Sequence, residues 1–154
     1  MARRELEDYE HVVRRVGRQQ IAIDERGEAR VTWLAFELRA AKMGRQAERY
    51  LSLSHFEHVD GSTEIRIRAV RNLMRKNRLP CTDKHAFAVC VCGRIRESGK
   101  SRGRRLSVAH TPRPLNPAYC GLYGLPPDNS DLVLLETLAA NSVVEVVMSG
   151  SVSE

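Results

Sequence analysis

Residues 86–92 read Ala-Phe-Ala-Val-Cys-Val-Cys, seven apolar positions in succession. In a β-strand alternate side chains point to opposite faces, so a strand apolar throughout must be covered on both. Seven residues are far short of the roughly 20 that a membrane span needs. The segment therefore predicts a strand central in its sheet. Leu106-Ser107-Val108-Ala109-His110 predicts a second strand, antiparallel to the first across a long hairpin. Tyr50-Leu51-Ser52-Leu53-Ser54 alternates apolar and polar, the period of a half-buried strand, and Val143-Val144-Glu145-Val146-Val147 supplies a last one.

Two helices stand out between these strands. Asp60-Gly61-Ser62-Thr63 is a turn whose Ser62 or Thr63 can cap the helix that follows. Ile65, Ala69 and Leu73 recur every four residues, with Val70 and Met74 beside them, and Pro80 ends the segment. Asn129-Ser130-Asp131 opens a second helix bearing Leu132, Leu135, Leu138 and Ala139, with Asn141 closing it. The Asp131 carboxylate suits the positive end of that helix dipole.

Other segments leave alternatives open. Glu5 to Val16 fits a short helix with Leu6, Tyr9, Val12 and Val13 on one side, while the stretch running on to Ile23 fits two short strands. Val31 to Leu38 fits either a short helix capped by Thr32 or a strand. Asp24 to Glu28 is a turn in which Gly27 can take positive φ. Residues 39–49 and the Gly-, Ser- and Arg-rich stretch 93–103 read as loops. Residues 111–129 hold five of the six prolines and read as irregular. The mixed order predicts an α+β fold, a mainly antiparallel sheet with two or three helices packed on one face. With 154 residues and no repeat, heptad or linker, the expectation is a single domain, 1–154.

The net charge of +6 is unevenly placed. Residues 61–80 carry Arg66, Arg68, Arg71, Arg75, Lys76 and Arg78 against Glu64. Residues 94–105 carry Arg94, Arg96, Lys100, Arg102, Arg104 and Arg105 against Glu97. The rest of the chain is neutral or acidic. Ten of these twelve cations are Arg, which meets phosphate and carboxylate through two parallel donors. The expectation is one shared cationic face that binds the phosphate backbone of RNA or DNA, or else an acidic protein. Aromatic residues make up 5%, few for a base-stacking platform, so contacts mainly to phosphate are expected. No apolar stretch suggests a secretory signal or a membrane partner. Cys81, Cys90, Cys92 and Cys120 lack a disulfide-framework spacing, which points to a reducing cytoplasm.

Nucleotide-binding glycine loops and the Gly-x-Ser-x-Gly elbow are missing from the sequence. His55 and His58, followed by Asp60, have the spacing of a metal pair on a helix, but the predicted strand there turns them to opposite sides. Cys81, His85, Cys90 and Cys92 are better read as core packing than as zinc ligands. No metal or cofactor is therefore expected. The stretch from His110 to Gly124 is the strongest candidate for chemistry. A histidine ends a buried strand, and a Pro-stiffened loop with Arg113, Tyr119 and Tyr123 follows. His110 with Tyr119 and Arg113 could form an acid–base set at a phosphodiester.

Glu10-His11-Val12, Val31-Thr32 to Ala35-Phe36, Leu51-Ser52-Leu53 and Ala88-Val89 belong to a wider pattern. It continues through Val108-Ala109-His110-Thr111-Pro112 and Asn116-Pro117 to Gly121-Leu122-Tyr123-Gly124. In this pattern the chain resembles a family of small bacterial proteins to which no established activity attaches. Where the pattern has a second His after Asn-Pro, this chain has Tyr119. The resemblance implies a bacterial accessory protein of a defence or mobile-element locus. Three functions follow as expectations. The first is a phosphate- or nucleic-acid-binding module. The second is a small toxin-like hydrolase or nuclease using His110. The third is an adaptor or inhibitor that docks an acidic partner.

Overall fold

A computed structural model describes residues 3–148. Nine strands alternate with three α-helices: β1 (Arg4–Glu5), β2 (His11–Gly17), β3 (Ile21–Ile23), β4 (Ala29–Val31), β5 (Leu51–Phe56), α1 (Thr63–Lys76), β6 (His85–Val91), α2 (Cys92–Lys100), β7 (Ser107–His110), β8 (Tyr119–Tyr123), α3 (Leu132–Thr137) and β9 (Val143–Met148). Seven strands form an antiparallel sheet in the order β1-β7-β8-β5-β2-β6-β9, and β3 and β4 form a separate ribbon. The architecture is α+β, as the element order predicts. Gly27 turns the ribbon at φ 81, the left-handed region where a Cβ is disfavoured.

β6 lies inside the sheet between β2 and β9, one strand from the edge. Its alternation divides the core in two. Ala86, Ala88 and Cys90 join the larger cluster with Val12, Leu53, Ile95, Leu122 and Leu134. Phe87 and Val89 join Val13, Phe56, Ile67, Val70 and Met74. The helices therefore cover both faces, α1 on one and α2 with α3 on the other. This corrects the expected one-sided layer. A doubly apolar strand already required the second cover.

The long hairpin is also corrected. β7 pairs with β1 and β8, whereas β6 pairs with β2 and β9. The connection between β6 and β7 is α2, which replaces the expected basic loop. Cys92, Ile95, Ser98 and Gly99 make its buried stripe. Ile95 is the only large apolar side chain in that stripe, so the helical period is masked by polar and small residues. A Cβ at Gly99 would stand 2.7 Å from the Leu106 side chain and 2.8 Å from the Arg104 carbonyl oxygen. Small residues are what let this helix sit against its return loop. Residues 111–129 contain β8 and are not wholly irregular.

The remaining local expectations fare as follows. Residues 4–5 and 11–17 are strands and not a helix. Trp33–Phe36 is a 3-10 turn, and the Thr32 hydroxyl before it donates to the Gln20 carbonyl (3.3 Å) and caps nothing. Ser62 caps α1 by accepting the Ile65 N–H, and Asp131 caps α3 by accepting that of Leu134. The buried stripe of α1 is Ile67, Val70 and Met74, while Ile65 is 43% exposed. Residues four apart advance about 40° around a helix, so a strict four-residue row drifts off the face that a mixed three-and-four spacing holds.

Candidate active site

The antiparallel register gathers four of the five histidines at one end of the large sheet. His11 opens β2 opposite Phe56 at the end of β5, and Val12 stands opposite His55. His110 closes β7, opposite Cys120 on one side and Arg4 on the other. His58 follows β5. His85 opens β6 at the far end, opposite Gly17.

Strand alternation sorts these rings by face. His55 leaves its strand on the side of Val12 and Leu53, and His110 on that of Val108, and at this end of the sheet both also border the cleft against α1. Their ring centroids are 5.3 Å apart. His11 and His58 stack separately at 4.9 Å, with His58 Nε2 2.8 Å from Asp60 Oδ1. Burial, together with the facing His58, moves the pKa of His11 down. His55 and His58 thus belong to different pairs. Among the described residues no cluster of three His, Cys, Asp or Glu side chains has metal-binding geometry.

Glu10 organises the first pair. Its Oε1 lies 3.0 Å from His55 Nε2. Arg4 grips both carboxylate oxygens, at 3.0 and 3.1 Å, and the Glu7 N–H donates to Oε2 at 2.7 Å. The Arg4 hydrogen bond, assisted by that backbone donor, holds the Glu10 carboxyl down at about 2. Glu10 is therefore an anion at neutral pH and can only accept, so His55 Nε2 carries the hydrogen. His110 is fixed in the same sense. Its Nε2 lies 2.7 Å from the Pro117 carbonyl oxygen, which also only accepts. In the neutral rings, both lone pairs are then on Nδ1. Neither Nδ1 meets a hydrogen-bond partner among the described residues.

Beside the pair is a cleft of about 460 Å³, lined by His55, His110, Pro117, Ala118 and the last turns of α1, including Asn72 and Lys76. Asn77 closes α1 and ties it to this wall. Its Nδ2 donates to the Leu73 carbonyl (2.8 Å), and its Oδ1 accepts the Ala118 N–H (2.9 Å). Lys76 is solvent-exposed at the rim and, with Arg75 and Arg78, makes no ion pair among the described residues. Burial pushes the Cys120 thiol up to about 12, and Cys90 and Cys92 likewise, which removes them as thiolate nucleophiles.

The expected His110, Tyr119 and Arg113 set does not assemble. Arg113 does lie over the Tyr119 ring, 3.8 Å from its centroid. But Tyr119 precedes Cys120 on β8, and Cys120 shares the face of His110, so Tyr119 points to the other side. Its hydroxyl lies 2.6 Å from that of Tyr50 and 3.2 Å from Ser52 Oγ. The groups that do meet His110 are His55 and, through it, Glu10. They lie 45 residues apart, and only the β2–β5 register makes them neighbours.

The two basic segments do not converge either. Arg68, Arg71, Arg75 and Arg78 belong to α1 and its end, on one face of the sheet. Arg94, Arg96, Lys100, Arg102, Arg104 and Arg105 belong to α2 and its return, on the other. Several are engaged within the fold. Arg96 binds Glu5 (2.7 Å), Asp8 (2.6 Å) and the Leu6 carbonyl. Arg102 meets Asp131 at 3.1 Å, Arg104 donates to the Gly124 carbonyl at 3.4 Å, and Arg66 meets Glu145 at 2.5 Å. Arg68 stands 3.7 Å from Glu64 one turn back. Among the described residues no helix is long and apolar enough to cross a membrane. No protein-family model, no curated protein and no solved structure matches the chain, so the functional reading rests on this geometry.

Proposed function

We propose that this protein is a small hydrolase of phosphodiesters, with His55 and His110 as its acid–base pair and the cationic surface of α1 holding nucleic-acid phosphate. The observation that carries the reading is the imidazole pair 5.3 Å apart, each ring held through Nε2 with its Nδ1 unengaged, beside a cleft rimmed by Lys76. Two such rings can divide the proton work of an ester displacement. One takes a proton from the attacking water as its oxygen bonds to phosphorus. The other gives a proton to the leaving oxygen as its bond to phosphorus breaks. Glu10 fixes the tautomer of His55 and offsets the positive charge the ring carries once protonated. Lys76 supplies a positive charge for the phosphoryl oxygens. Arg75 and Arg78 extend that charge along α1 for further phosphates. Four free thiols, three of them buried, support a reducing compartment such as the cytoplasm.

The test is cleavage of a fluorogenic oligonucleotide and of a small chromogenic phosphodiester. The parent should turn over with a bell-shaped pH profile. Replacing His110 or His55 with Ala should lower turnover by about 100-fold or more while the fold is retained. Full turnover in a folded His110→Ala protein would refute the mechanism. Salt-sensitive binding of oligonucleotide with no cleavage would leave a phosphate-binding module in place of an enzyme.

A further inference from the structure

On the α1 side of the sheet, the helix packs against Val13, Phe56, Phe87, Val89 and Val147, which belong to β2, β5, β6 and β9. The neighbouring half, made by β5 and β8, presents Ser52, Ser54, Tyr119, Gly121 and Tyr123 on the same face. Ser52 is exposed. This half carries most of the tyrosine in the molecule. Tyr50 and Tyr123 stack at 4.9 Å and 24°, and Tyr119 meets Tyr50 edge-on at 6.5 Å. Two arginines complete the group. Arg3 stands 4.0 Å over the Tyr123 ring and Arg113 3.8 Å over that of Tyr119, and both are exposed. A Cβ at Gly121 would come within 2.6 Å of the Tyr123 ring, so glycine is what lets that ring approach the strand so closely.

We infer that this surface is a platform for the unpaired bases of a single-stranded nucleic acid. A planar guanidinium resting on an aromatic ring offers its outer face to a base, and its charge to the adjoining phosphate. Beside the platform is a depression of about 440 Å³ with Arg15, Asn116 and Tyr119 in its lining. The platform adjoins the histidine cleft. Asn116 and Tyr119 line the depression, while Pro117 and Ala118 between them line the cleft. A strand whose bases stack on the guanidinium groups of Arg3 and Arg113 can thus pass over residues 116–119 and bring a phosphodiester to His55 and His110. The inference deepens the phosphodiesterase reading and names its substrate as single-stranded.

Binding is measured in the His110→Ala protein, so that it does not depend on turnover. The probes are fluorescein-labelled 12-mers of single-stranded RNA, of single-stranded DNA and of the matching duplex, followed by anisotropy. The single strands should bind more tightly than the duplex. Arg113→Ala and Arg113→Lys should each weaken single-strand binding by about fivefold to a hundredfold, because lysine keeps the charge but loses the plane. Tyr123→Leu should act in the same direction. Duplex bound as tightly as single strand, or Arg113→Lys indistinguishable from Arg113, overturns the platform. The parent chain's cleavage assay separates the two readings. Cleavage with unchanged binding in the Arg113 variants rejects the platform alone, and loss of binding in them without any cleavage by the parent rejects the hydrolase alone.

Discussion

Glu10 does two jobs with one carboxylate. It locks Arg4 of the edge strand and orients His55 of the candidate site. Its depressed pKa makes it a source of stability with a definite pH signature. The folded form ionises at about 2 and an ordinary glutamate at 4.5. The contribution is thus complete above 4.5 and is lost as pH falls toward 2. Glu10→Gln should lower the urea midpoint at pH 7, and the gap to the parent should close between those two values. A gap that persists at pH 2 would show that Glu10 acts by shape and not by charge. The same variant should lower turnover at neutral pH, since the His55 tautomer is no longer imposed. His110 could be singled out in the sequence because it ends an apolar strand and opens a Pro-rich loop. Its partners could not, because no local pattern links residues 10, 55 and 110. Tyr119 and Arg113 lie near it in the chain, but strand alternation turns Tyr119 to the other face, and Arg113 rests on that ring.

Among the elements, α2 departs most from its sequence. Its basic residues suggest a solvated loop reaching for a ligand, yet Arg96 is spent inward on Glu5, Asp8 and a carbonyl. Arg96→Ala should destabilise the fold by about 1.5–3 kcal/mol, the range for hydrogen bonds to charged groups, as read from urea unfolding. The same change should leave affinity for oligonucleotide unaltered. A drop in affinity without a drop in stability would return Arg96 to a binding role. α1 follows its sequence more closely, with Ser62 at its start and an apolar stripe beneath. Helix caps and a full apolar stripe are local signals, whereas a stripe of Cys, Ser and Gly carries too little apolar surface to announce itself.

For the whole molecule, the sheet separates the two cationic segments. Binding of nucleic acid should therefore depend on one of them. Replacing Arg75, Lys76 and Arg78 with Ala should reduce the slope of log affinity against log salt by roughly 0.7 per lost phosphate contact on a single strand. Replacing Arg94, Lys100 and Arg105 should leave the slope as it was. Equal losses from both sets would mean that nucleic acid contacts both faces of the sheet. The low aromatic content, 5%, argues for contacts mainly to phosphate. Composition averages over the chain, however, and the fold places Tyr50, Tyr119 and Tyr123 together.

The amino-acid sequence by itself determined the α+β class, the doubly covered β6, and the starts of α1 and α3. These depend on alternation, period and capping, all of which act over a few neighbouring residues. Strand order, the placing of helices on both faces, the Glu10–His55–His110 cluster and the tyrosine platform were decided only by the tertiary structure. Each of these depends on which strands pair and in what register. A shift of one residue in that register would turn the histidines and tyrosines to opposite faces.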